Sequence, residues 1–348
     1  MGRKVRVGIT GDLFDKEGKS VSPGPGPKLL DELPNVEWEP FPEYLPEVSP
    51  EQARGFDMVV SFAPKWTPRT FAGNDRLLSI HRGGVGYDMV NVPACTNASV
   101  ALFIIPPAVR RPVATGIMAF ILALSTRLRI KDKLTRAGRW EAGRKEYPGI
   151  GLTGKTLGSI GVGNIGHEIF KLAKPFGMRH IAYDPYVKQE AVADVAVKLV
   201  DMDTVLAESD FVNIICPLNE KTRHLIGEKE LKKMKKTAFL INTARGPVVD
   251  EAALVKALRE GWIQGAGIDV FEQEPILADN PLFKLENVIV TPHSIALTDE
   301  FYLVMWQEIT QQIVQLIRGE KPATLVNPEV WGKAEFQARL KKFHSAIK

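Results

Sequence analysis

The chain has 348 residues, 45% hydrophobic and 25% charged, which fits a soluble globular protein too long for one ordinary core and long enough for two domains. Its net charge of +4 is mild, and lysine and arginine are interleaved with acids, which argues against a nucleic-acid partner and suits a small anionic one. Two cysteines, Cys95 and Cys216, give no disulfide framework and fit a reducing cytoplasm; the basic leader MGRKVRVGITGD lacks a signal peptide's apolar region, and Gly116–Leu124 is too short to span a bilayer.

A first strand is expected at Val5–Ile9, before a turn at Gly11-Asp12. The Pro/Gly run Ser22–Pro27 reads as a surface loop. Short strands follow at Met58–Ser61, Leu78–His81 and Val100–Ile104, making a small α/β unit. An apolar helix is expected over Pro112–Arg129, then a basic, solvated arm at Lys131–Tyr147. Strand–helix alternation resumes through Leu157–Gly161, His180–Tyr183, Phe211–Ile215, Ala238–Thr243, Gly265–Asp269 and Val288–Thr291. Six strands separated by helices predict a doubly wound parallel sheet. A last helix, Glu300–Arg318, precedes an apolar tail at Thr324–Asn327.

The strongest local signal is Gly161-Val162-Gly163-Asn164-Ile165-Gly166, entered from the strand TLGSI and left by the amphipathic HEIFKLAKPFG. Gly161 suits a tight turn, Gly163 a pyrophosphate lying on the backbone, and Gly166 close packing of helix on strand. The N–H groups opening the helix would hold the diphosphate. Asp184 ends the next strand eighteen residues beyond Gly166, placed to bind both ribose hydroxyls and repel a 2′-phosphate, so NAD is expected rather than NADP.

Three further strand ends carry polar groups: Arg245 after Ala238–Thr243, Asp269 with Glu274 beyond it, and His293 after the last strand. Ligands of open α/β sheets bind beyond the carboxyl ends of the strands, so these groups are expected together. An imidazole, ordinarily titrating near about pH 6.5, suits His293 as the acid that protonates a carbonyl during hydride transfer and as the base in reverse. Glu274 would hold the ring in one tautomer, and the forked, permanently charged Arg245 would bind a carboxylate. No metal site is assigned.

In order along the chain stand RGGVGYD (Arg82–Asp88), GVGNIG (Gly161–Gly166), CPLNEKTRHLI (Cys216–Ile226), NTARGPVVDEAALVKAL (Asn242–Leu258), GAGIDVFEQEP (Gly265–Pro275) and TPHSIALT (Thr291–Thr298). With these the sequence resembles the D-isomer-specific 2-hydroxyacid dehydrogenases, a family that includes glyoxylate/hydroxypyruvate reductases and D-lactate and 3-phosphoglycerate dehydrogenases. The resemblance implies an NAD-dependent oxidoreductase acting on C2 of a D-2-hydroxy or 2-keto acid, with Arg245, Glu274 and His293 as its triad. It implies that Asp269 holds the nicotinamide carboxamide, and that Pro217, Thr222, Thr243 and Ala244 line the cofactor. Gly84, Val85 and Gly86 would offer N–H groups to the substrate carboxylate as an anion nest.

The implied architecture is two Rossmann-like domains. The discontinuous substrate domain covers 1–115 and 300–335, around a dinucleotide domain at 116–299 whose arm at about 116–150 makes a homodimer. Where family members commonly read GVGYDNID, this chain reads GVGYDMVN. Its IIPPAVRRPVATG puts Thr115 and Gly116 where many members carry a Glu. Arg82, Arg110 or Arg111 could thus meet a second anionic group of the substrate. Formate oxidation is disfavoured, since it needs no proton donor, and so is a regulated 3-phosphoglycerate dehydrogenase, since about twenty residues follow Asn327. Phosphite oxidation and a corepressor-like dinucleotide sensor are the alternatives.

Overall fold

The computed structural model describes residues 2–347, in two units: Met1–Val109 with Leu297–Lys348, and Arg110–Ala296. The described residues form a five-stranded sheet in the first unit and a seven-stranded sheet in the second, and every ladder within them is parallel.

In unit 1 the strands are β1 (Val5–Ile9), β2 (Val36–Pro40), β3 (Met58–Ser61), β4 (Ser79–Arg82) and β5 (Ala101–Phe103), in spatial order β2-β1-β3-β4-β5. The sequence reading had missed β2. It is an edge strand, VEWEP, with one buried residue, so it lacks the apolar run that marks its neighbours. The core packs Phe41, Phe56, Val59, Trp66 and Ile80 together. The helix Asp299–Ile317 joins this unit through Gln312, whose amide bonds His81 Nδ1 of β4 at 2.8 Å and the Ile104 carbonyl at 2.9 Å. The helix Ala334–Ile347, which the sequence reading left unassigned, also belongs here.

The Ser22–Pro27 run is not wholly a surface loop. Ser22 is buried, its hydroxyl accepting from Trp306 Nε1 at 3.1 Å, and Gly26-Pro27 open a 3-10 helix, Gly26–Glu32. Proline at the second position of a helix lacks only an N–H that would have no helical partner. Trp66 and Trp306 are both core residues.

Unit 2 contains β6 (Thr156–Ile160), β7 (Arg179–Tyr183), β8 (Lys198–Leu199), β9 (Phe211–Ile214), β10 (Phe239–Asn242), β11 (Gly265–Ile268) and β12 (Val288–Val290), in the order β12-β11-β10-β9-β6-β7-β8. Six of these match the expected strands; β8, two residues long, had left no readable pattern. Strand order reverses between β6 and β9, the switch point at which such sheets bind nucleotides.

The apolar helix is longer than expected, Pro106–Ser125, with Pro112 inside it. Its 20 residues are long and apolar enough for a bilayer span, but Ala114, Ile117, Phe120, Ile121 and Leu124 are spent in the core of unit 2. The basic arm folds as two short helices, Leu128–Arg136 and Trp140–Lys145.

Candidate active site

At the switch point of unit 2, β6 ends on Gly161, which takes the left-handed φ of +97°. A Cβ there would stand 3.0 Å from the Cys216 nitrogen, just past β9, and one on Gly166 would stand 2.9 Å from the Gly161 carbonyl oxygen. Both glycines are therefore demanded by backbone packing. Gly163 differs: a Cβ on it would meet nothing within 4 Å, so the room beside it is open. Gly163 also caps the helix Asn164–Ala173 with no side-chain acceptor for the N–H groups of its first turn. Asp184 is half-buried and bridges the loop, Oδ2 accepting from Val162 N–H at 3.0 Å and Oδ1 from Tyr186 N–H at 2.9 Å. After β10, the buried Thr243 hydroxyl has no hydrogen-bond partner. An open cradle beside uncapped N–H groups, with an orphaned hydroxyl nearby, fits a dinucleotide diphosphate.

Of the other cofactor candidates, Ala244 is buried beside Thr243. Thr222 gives its hydroxyl to the Pro217 carbonyl at 2.6 Å, closing the turn after β9. Cys216, at the same strand end, has its thiol pushed up to about 11 by burial.

Three loops of the same sheet bring the expected triad into one region. His293 Nδ1 lies 2.8 Å from Glu274 Oε2, and Glu274 Oε1 accepts from Phe271 N–H at 3.0 Å. Burial pushes the Glu274 carboxyl up. The His293 bond and charge, the Phe271 N–H and the Arg245 charge outweigh this and hold it below the ordinary carboxylate value. Arg245 leaves β10 anchored through Nη1 to the Ala244 carbonyl at 2.7 Å. His293 takes φ of +53°, a left-handed conformation that only surrounding bonds maintain in a non-glycine residue.

Those bonds come from Asp269. Its carbonyl accepts from His293 N–H at 2.8 Å, and its Oδ1 accepts from the Thr291 hydroxyl at 2.5 Å, Ser294 N–H at 3.0 Å and Ile295 N–H at 3.1 Å. Burial still drives the Asp269 carboxyl upward against these contacts. At least one of its oxygens thus shapes the His293 turn, a duty the sequence reading did not foresee.

Two other supports were missed. Asn242, fully buried at the end of β10, spans the Arg245 turn, accepting from Ala244 N–H at 3.1 Å and donating to the Arg245 carbonyl at 3.1 Å. Gly246 lies against the Glu274 loop, where a Cβ would sit 1.9 Å from the Phe271 carbonyl carbon. An Asn two residues before the turn's close was the one available signal for the first. Nothing local signals the second.

Arg110 and Arg111, read as candidates for a second substrate anion, are instead paired. Arg111 Nη1 lies 2.6 Å from Glu168 Oε1 and Arg110 Nε 3.7 Å from Oε2, on the helix that follows the glycine loop. In unit 1, Arg82 is buried, with Nε donating to Met89 Sδ at 3.3 Å and its guanidinium 5.3 Å from the Phe62 ring centroid. Gly84 lies outside the left-handed region. A Cβ on Gly84 would come 2.7 Å from Arg82 Nη1, and one on Gly83 2.7 Å from the Phe62 ring. Val85 and Gly86 are partly exposed beside them.

Residues 118–294 match the D-isomer specific 2-hydroxyacid dehydrogenase NAD binding domain. The chain is 40% identical over 262 residues to a glyoxylate reductase of Korarchaeum cryptofilum, covering 75% of this chain and 79% of that protein. It is 38% identical over 315 residues to a glyoxylate reductase of Thermococcus litoralis, covering 88% and 95%. Among solved structures it is similar to D-lactate dehydrogenase of Aquifex aeolicus complexed with NAD and lactic acid. That likeness has a TM-score of 0.81 and 27% identity, covering 92% of this chain and 99% of the other.

Proposed function

The chain belongs to the D-isomer specific 2-hydroxyacid dehydrogenase family and is a nicotinamide-dinucleotide-dependent dehydrogenase; on that premise we propose that Arg245, Glu274 and His293 carry hydride transfer at C2 of a small 2-keto or D-2-hydroxy acid. The observation that carries this reading is the 2.8 Å contact between His293 Nδ1 and Glu274 Oε2.

When bound, the reduced nicotinamide supplies the hydride. With Nδ1–H directed at Glu274, the protonated ring has Nε2–H left for the carbonyl oxygen, and it donates that proton as the alkoxide forms. The neutral ring keeps Nδ1–H on Glu274. In the oxidative direction Nε2 therefore receives the alcohol proton without a tautomer change. Arg245 binds the carboxylate and polarises the carbonyl oxygen. Asp269 keeps His293 in its left-handed turn and holds the carboxamide.

NAD is the preferred form in this reading, because the Asp184 carboxylate at the end of β7 would repel a 2′-phosphate, and Pro185 and Tyr186 follow it where an Arg would be needed to receive one. Arg82, Gly84, Val85 and Gly86 are the substrate contacts assigned to unit 1. The protein works as a cytoplasmic homodimer; exposed Leu128 and Trp140 on the 128–145 arm support that assembly.

NADH oxidation against a panel of 2-keto acids tests the reading. Turnover with at least one of them, lowered about 100-fold or more in His293→Ala with NADH affinity kept, is expected. Tight NADH binding with no turnover of any keto acid would overturn it.

A further inference from the structure

Alternate residues of a strand share one face of its sheet. Leu157 and Ser159 of β6 therefore lie with Phe211 and Asn213 of β9 and with Phe239 and Ile241 of β10, since the register sets Ser159 opposite Asn213 and Asn213 opposite Ile241. Leu157, Phe211, Phe239 and Ile241 belong to the apolar core of that face, with Ile117 and Phe120 of the helix packed on it. Into this layer the chain sets a polar pair. Ser159 and Asn213 are both fully buried, and Asn213 Nδ2 donates to Ser159 Oγ at 3.1 Å. Asn213 Oδ1 is buried with no hydrogen-bond partner. Two apolar side chains would fill the same place and leave nothing unsatisfied, so the pair costs stability where it stands.

What the pair holds is the first turn of the glycine loop. The Ser159 hydroxyl donates to the Gly161 carbonyl at 2.7 Å. A hydroxyl has one proton to give, so the bond from Asn213 runs from amide to hydroxyl and the order is Asn213 to Ser159 to Gly161. The Gly161 C=O and the Val162 N–H belong to one planar trans peptide and point in opposite directions. Its N–H end donates to Asp184 Oδ2 at 3.0 Å. One peptide plane of the loop is thus gripped at both ends, from the core by Ser159 and from the far side by Asp184. Gly161, at φ of +97°, has no side chain to fix that plane; the two hydrogen bonds do.

We infer that Ser159, oriented by Asn213, is a positioning residue for the dinucleotide: it sets the Gly161–Val162 peptide and, through it, the direction of the Asp184 carboxylate. Both side chains are buried beneath the loop, so they act through it rather than by touching the cofactor. Without the hydroxyl the Gly161 carbonyl loses its donor, and the peptide is free to rotate and carry the Val162 N–H off Asp184. The inference rests on the reading of Asp184 as the ribose-binding carboxylate.

The test is NADH titration, with melting temperature, on the wild type, Ser159→Ala, Asp184→Ala, the double variant Ser159→Ala/Asp184→Ala, and Ser159→Ala/Asn213→Leu. Ser159→Ala is expected to weaken NADH about 3- to 10-fold, the range for one hydrogen bond. Added to Asp184→Ala it should cost less than about twofold more, because the peptide has already lost its other anchor. Ser159→Ala/Asn213→Leu removes the orphaned amide and should melt above Ser159→Ala, yet bind NADH no better than it does. A pair that serves only the core would do the reverse and recover affinity together with stability, which overturns the inference. Wild-type affinity in Ser159→Ala overturns it too, as does full additivity with Asp184→Ala. If the leucine variant does not fold, the cycle with Asp184 decides the matter. Asp184→Ala separates the two levels. If it binds NADH as the wild type does, the ribose reading of Asp184 falls and the inference with it; if it weakens NADH while Ser159→Ala does not, only the role of Ser159 falls.

Discussion

His293 Nδ1 and Glu274 Oε2 are held 2.8 Å apart by a backbone that leaves neither residue free to turn away. His293 is fixed from Asp269, and Glu274, five positions further along from Asp269, folds back to accept from the Phe271 N–H three residues before it. Glu274→Gln keeps the size of the side chain and replaces the carboxylate with an amide. An amide cannot stabilise a protonated ring, so keto-acid reduction should fall about 100-fold while NADH affinity changes by less than about threefold. Because the folded carboxyl lies below its ordinary 4.5, Glu274 contributes stability above that pH, lost as pH falls through the folded value. The variant should therefore show a shallower loss of melting temperature below about pH 4.5 than the wild type does.

Two glycines with opposite surroundings give a paired prediction. A Cβ on Gly246 would lie 1.9 Å from the carbonyl carbon and oxygen of Phe271, whereas one on Gly163 would meet nothing within 4 Å. Gly246→Ala must push the Arg245 turn off the Glu274 loop, at about 1–3 kcal/mol or more by analogy with overpacked cores. It should lower both melting temperature and kcat. Gly163→Ala should melt within a degree or two of the wild type and weaken NADH about 10-fold, because its methyl fills room meant for the diphosphate. Calorimetry and NADH titration of both variants check this; equal destabilisation would contradict it.

The difference between those two glycines also marks what sequence can carry. Gly163 was legible, because a strand, three spaced glycines and an amphipathic helix are all local. His293, Glu274 and Arg245 were legible for a similar reason, since each follows a strand end and parallel order gathers such ends on one side. Gly246 owes its identity to Phe271, and Asn213 owes its partner to Ser159, contacts made only after distant strands pair. Arg110 and Arg111 looked available to a substrate because Glu168, 57 residues beyond Arg111, could not be placed beside them from spacing. The same limit hid β2 and β8, whose strand character comes from a neighbour's edge rather than from their own side chains.

Asp184 makes a prediction about the cofactor. Its two oxygens are occupied by Val162 and Tyr186 N–H groups at 3.0 and 2.9 Å, which aims the carboxylate across the end of the glycine loop. A ribose 2′-phosphate there would meet its charge. The wild type should use NADH in preference to NADPH by about 100-fold or more in kcat/KM, and Asp184→Ala should narrow the ratio chiefly by losing NADH affinity. Equal use of both cofactors by the wild type would remove the discriminating role of Asp184.

His81 provides a test of unit 1 that does not touch the chemistry. Its ring is fully buried, with Nδ1 2.8 Å from Gln312 Oε1 and Nε2 2.9 Å from Ser79 Oγ. The neutral ring satisfies both, donating to Gln312 and accepting from the Ser79 hydroxyl. Burial pushes its pKa from 6.5 down to about 4, against the pull of the Gln312 bond. The folded state therefore refuses a proton that the unfolded chain takes up below pH 6.5. The sign follows: stability is full above 6.5, declines as pH falls toward 4, and stops declining through this group below that. One proton over that window amounts to about 3 kcal/mol at most. His81→Gln offers the same donor and acceptor without a titration. Thermal scans from pH 7.5 to 4 should show the unit 1 transition falling more steeply in the wild type than in the variant, whatever their stabilities at neutral pH. Parallel slopes would mean that His81 takes its proton in the fold as readily as in the unfolded chain.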